Sequence, residues 1–109
     1  MLQELIKINS TDNIELFGML YTPEEKTTKV VVHVHGLYGN FYENKYLNML
    51  AKIYTENGYS FLTFNNRGTD YVSGLLSGQE YKTLGGCYER FKDCLLDLEG
   101  VINYSKKIG

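Results

Sequence analysis

Two short apolar runs, Lys29–His35 and Tyr59–Phe64, flank a single helix-length segment, and this arrangement constrains the chain more than any other feature. In the first run Val30, Val32 and Val34 point one way, while Val31, His33 and His35 point the other. A strand apolar on both faces must be covered on both sides, as in a parallel sheet layered with helices. The intervening segment, Glu43 to Asn57, carries Tyr46, Leu47, Leu50, Ile53 and Tyr54 on one stripe at helical spacing. Asn57-Gly58 supplies the left-handed residue on which a helix stops. Strand, helix and strand in this order make a βαβ unit and therefore a parallel pair. The expected class is α/β.

The flanking sequence extends that unit. Leu5–Ile8 and Ile14–Tyr21 read as strands around a run of turn formers, Asn9-Ser10-Thr11-Asp12-Asn13. They form an antiparallel hairpin, with Ile14, Leu16 and Leu20 on one face. Pro23 ends the second strand, and Glu24–Thr28 is a polar connection. Asn65–Leu84 is a long Gly- and Ser-rich loop, of the kind that is functional or holds a short element. A second helix is expected from Cys87 to Lys107, with Phe91, Cys94, Leu95, Leu98, Val101 and Ile102 as its apolar face. Asp93, Asp97 and Glu99 lie mainly off that face, and Asp93 and Asp97 read as a solvated rim. Lys106 and Lys107 occupy the last turn, where the helix dipole favours cations, and Gly109 is a natural cap. The architecture expected for residues 1–109 is thus part of one α/β domain. It comprises an antiparallel hairpin, a parallel βαβ unit and two main helices. Complete α/β domains run to about 200–250 residues, and a third parallel strand is expected after the second helix.

Composition narrows the function classes. Lysines and arginines are scattered, and the net charge is −2, so no nucleic-acid surface is indicated. The longest β-branched run, Val30–Val32, is far short of a membrane span. The start of the chain lacks the basic and apolar regions of a signal peptide. Together with two cysteines, Cys87 and Cys94, this leads to the expectation of free thiols and a cytoplasmic location.

Two motifs then carry a resemblance. His35-Gly36-Leu37-Tyr38-Gly39 directly follows a buried strand, and Asn66-Arg67-Gly68 follows the next one. In that order, behind a hairpin, they resemble the beginning of the α/β-hydrolase fold. The first looks like that family's oxyanion loop, and the second is similar to the Arg-Gly turn many members carry. The stretches His33–Tyr46 and Gly85–Asp97 are similar to an esterase/lipase-like branch. The resemblance implies serine-dependent hydrolysis of a small-molecule ester or lipid-like substrate, with no cofactor. It assigns one oxyanion N–H to Leu37, with Tyr38 beside it, and Gly36 and Gly39 for the tight bend. It also implies the sheet order first, second, fourth, third, which makes Lys29–His35 an edge through which the chain is expected to self-associate.

The family's nucleophile sits in Gly-x-Ser-x-Gly on a strand-to-helix turn, followed in the chain by an acid and then a histidine. Ser73, Ser77 and Ser105 lack the flanking glycines, and His33 and His35 precede all three. No catalytic nucleophile, acid or base is therefore expected within these residues, and the elbow is expected one strand beyond Gly109. A short non-catalytic scaffold acting through association is the alternative.

Other readings of the same residues remain open at this level. His35 reads as a buried, loop-orienting residue. His33-x-His35 on one face is alternatively half of a metal site, but the only candidate third ligands, Asp70 and Glu43, are at no diagnostic spacing. Arg67 either binds an anion or fixes its own turn by bonding loop carbonyls and carboxylates. Gly85-Gly86 before a helix suits a phosphate, yet no P-loop lysine follows. No group is placed to activate Cys87 or Cys94, so packing is their default role. The Tyr38–Tyr46 stretch suits either an acyl pocket or rim packing.

Overall fold

A computed structural model describes residues 1–35, 46–69, 73–85 and 91–108. Strand β1 (Leu2–Asn9) and strand β2 (Glu15–Thr22) pair antiparallel in unbroken register, from Leu2 opposite Thr22 to Asn9 opposite Glu15. Their turn is closed by its own polar groups. The Ser10 N–H donates to the Ile14 carbonyl at 2.9 Å, and the Ile14 N–H donates to Ser10 Oγ at 2.9 Å. Asn13 takes the left-handed conformation, φ 67°, which Asn tolerates better than most residues.

Strand β3 (Val30–Val34), helix α1 (Tyr46–Glu56) and strand β4 (Ser60–Phe64) form the expected βαβ unit, with β3 and β4 parallel. The left-handed stop after α1 is Gly58, φ 82°. The sheet order is β1-β2-β4-β3, which matches the order implied by the resemblance. Central β4 is buried along its whole length, whereas β3 at the edge is half-buried and ends with Val34 51% exposed. The expectation of full burial on both faces thus holds for β4 and fails for β3, which among the described residues has a strand on one side only.

The two sheet faces carry separate cores. Ile6, Ile8, Ile14, Leu16, Leu20, Leu62 and Phe64 pack together on one face, joined by Val101 of helix α2 (Cys94–Ile108). Tyr21 and Phe61 pack on the other with Leu47 and Ala51 of α1. On α1 the buried line is Leu47, Ala51 and Thr55, while Tyr46 and Ile53 of the anticipated stripe are about half exposed.

Two further departures have physical causes. The segment read as the long loop Asn65–Leu84 contains a hairpin of strand β5 (Ser73–Ser77) and strand β6 (Glu80–Leu84). Gly78, φ 63°, opens its two-residue turn. Leu75 anchors it in the first core, and an isolated bridge joins Ser77 to Ile14. The helix expected from Cys87 begins, within the described residues, as a single 3₁₀ turn at Phe91–Asp93 that runs into α2. Its buried face matches the anticipated apolar one only in part, at Val101 and the half-buried Cys94 and Leu98. Asp97, Gly100 and Val101 are buried, while Leu95 and Ile102 are 63% and 41% exposed. The helix is rotated toward the β1–β2 turn, where a Cβ on Gly100 would run into the Asn9 carbonyl and the Ser10 Cα.

Candidate functional site

The carboxyl ends of parallel strands are where open α/β sheets place ligands. Here those ends lead into His35 after β3 and Asn66-Arg67-Gly68 after β4. Both segments are buried and cross-linked by side chains. The Asn66 N–H donates to His35 Nε2 at 3.0 Å. A ring nitrogen that accepts carries no proton, so in this arrangement the proton of His35 is on Nδ1. Asn66 then returns a bond along the turn, its Oδ1 accepting from the Gly68 N–H at 2.8 Å. The Thr69 N–H closes the turn onto the Asn66 carbonyl at 3.0 Å.

Arg67 is the hub. Its side chain is 4% exposed, and it holds two carboxylates. The main-chain N–H donates to Asp97 Oδ2 at 2.8 Å, and Nε and Nη2 donate to Asp97 Oδ1 at 3.0 and 2.8 Å. Nη1 and Nη2 form a fork on Asp12, at 3.0 Å to Oδ2 and 2.7 Å to Oδ1. The Arg67 carbonyl accepts from the Gly85 N–H at 2.8 Å, which brings in the end of β6. One residue therefore ties together the β1–β2 turn, the turn after β4, the hairpin and α2. A planar fork of this kind matches carboxylates as a point charge cannot.

The charges respond accordingly. Burial pulls Arg67 down, but hydrogen bonds and charge from Asp12 and Asp97 outweigh it and hold the guanidinium above its ordinary range. Burial pushes Asp12 up, and its hydrogen bonds to Arg67 and Ser10 and the Arg67 charge bring it below the usual carboxylate value. Asp97 is fully buried, and desolvation raises it despite the opposing Arg67 contacts. With both carboxylates in place, Arg67 is committed to structure and is not open to an anionic ligand.

His33 has different partners. Its Nε2 lies 3.4 Å from the Tyr46 hydroxyl of α1, and its ring packs against Tyr46 and Phe61 at centroid distances of 5.9 and 6.2 Å. Burial depresses its pKa, and a positive charge on His35, were it protonated, would depress it further. Among the described residues no group of three or more His, Cys, Asp or Glu side chains is placed to hold a metal ion. Gly36, Leu37, Tyr38 and Gly39, together with Glu43, Asp70, Gly86 and Cys87, lie outside the described residues. Ser105 Oγ donates back to the Val101 carbonyl at 2.9 Å, and Ser10 Oγ donates to Asp12. No helix among the described residues is long and apolar enough to cross a membrane.

Sequence reasoning missed Asp12 and Asp97 as partners of Arg67 and placed Asp97 on a solvated rim. A signal existed. Cys94, Asp97, Val101 and Tyr104 follow one another at helical spacing, so Asp97 sits inside a line of core positions.

Solved structures share this fold. An α/β hydrolase, GrgF from Penicillium sp. sh18, superposes with a TM-score of 0.69 at 15% identity over 97% of this chain and 32% of its own. The chain carries part of the α/β-hydrolase fold. The Pyrococcus furiosus esterase Pf2001 gives a TM-score of 0.70 at 21% identity, covering 97% of this chain and 36% of its own. Est1E from Butyrivibrio proteoclasticus, solved with ferulic acid bound, gives 0.66 at 20% identity over 92% and 36%. The chain thus spans about a third of the length of these hydrolases. No family model and no curated protein matches the sequence.

Proposed function

We propose that these residues belong to a serine-dependent hydrolase of ester-type bonds, and that they supply half of its oxyanion hole while lacking activity of their own. The observation that carries this reading is the lock between His35 and the Asn66-Arg67-Gly68 turn, immediately ahead of Gly36–Gly39. In acyl transfer a serine oxygen attacks the carbonyl carbon, and the carbonyl electron pair moves onto oxygen. Fixed N–H donors stabilise the resulting anion, and losing one of them costs about 10²–10³ in rate. On this reading the Leu37 N–H is one donor, and the residue after the nucleophile gives the second. His35 positions the loop and does not act as the base, because its Nε2 lone pair is occupied by Asn66. Small-molecule ester or lipid-like compounds are the substrate class, and no cofactor takes part.

A fluorophosphonate probe tests the division of labour. The 109-residue chain should not be labelled, and covalent labelling of any of its serines would overturn the assignment. The coding sequence beyond the Gly109 codon should run into an apolar strand and Gly-x-Ser-x-Gly. An immediate stop codon would instead favour the non-catalytic scaffold.

A further inference from the structure

We draw no further inference here: the strongest candidate, the groove of about 420 Å³ that Val30 and Val32 of β3 line together with Ile102 of α2, is an apolar face without a partner among the described residues, and nothing in the structure shows what covers it.

Discussion

Replacing Asp97 with alanine should cost this fold about 3–5 kcal/mol, the usual loss when one member of a buried ion pair is removed. The value follows from the local geometry. Asp97 is fully buried and accepts from the main-chain N–H, Nε and Nη2 of Arg67. Without it a guanidinium that is 4% exposed keeps only the Asp12 fork, and the Arg67 N–H loses its acceptor. Domains of this size are stable by roughly 5–15 kcal/mol, so at least about a fifth of the total is at stake. In urea, with a slope of about 1–3 kcal/mol per M, the midpoint should fall by roughly 1–5 M with the slope unchanged. The double variant Arg67→Met with Asp97→Leu should recover most of the loss, because well-packed apolar replacements of buried pairs are commonly neutral or better. Asp12, 34% exposed, can then hydrate. A loss below about 1 kcal/mol for Asp97→Ala would be the behaviour of a solvent-exposed pair, and it would refute the buried hub.

Three other outcomes follow from the same geometry. His35→Ala leaves the buried Asn66 N–H without its acceptor and should cost about 1–3 kcal/mol; with His35 in place, nitrogen NMR should show its proton on Nδ1, and a proton on Nε2 would contradict the bond. The folded-state pKa of Asp12 is lowered, so its contribution to stability is present above the unfolded value of 3.8 and lost as pH falls through the folded one. Asp97 is raised and has the opposite sign, favouring the fold as it protonates, so Asp12→Asn should flatten the acid limb of a stability–pH curve and Asp97→Asn should steepen it. Gly100→Ala gains about 1 kcal/mol of helix propensity but forces a Cβ into the Asn9 carbonyl, for a net loss of about 1–2 kcal/mol measurable by thermal unfolding.

What could be read from the chain and what could not differ by the range of the interaction involved. The β1–β2 hairpin, the parallel β3–β4 pair and the helix stop at Gly58 depend on local pattern, and the structure has all three. The hairpin at Ser73–Leu84 also depends on local pattern, yet the sequence indicates no more than a long loop able to hold a short element. Its β6 strand is largely exposed and has no alternation of burial, leaving Gly78-Gln79 as the sole short-range clue. Asp97 is a different case. Its burial is decided by a guanidinium 30 residues away, and helical periodicity assigns a charged residue to solvent unless that partner is known. The same contact explains why Leu95 and Ile102 are exposed. Turning α2 to bury Asp97 and seat Gly100 on the β1–β2 turn rotates those two side chains outward.

The position of the Arg67 network bears on how an oxyanion loop starting at His35 would be held. The parallel β3–β4 ladder stops at Val34 and Phe64; beyond it main-chain bonds from Asn65 to Phe17 and from Gly85 to Arg67 remain, and side chains fix the rest. His35 bonds Asn66, and Asn66 bonds Gly68. The next residue, Arg67, is anchored to the β1–β2 turn, to α2 and to Gly85. Moving His35 therefore means moving a buried charge cluster as well as one ring. Donors that stabilise a developing oxyanion are effective to the extent that they need no reorganisation at the moment of reaction. On the proposed reading, the cluster contributes rigidity at the root of the loop and no charge at the reacting atoms. Substituting Arg67 should then lower stability together with any activity of a complete enzyme, whereas a direct role in binding the anion would lower activity with stability unchanged.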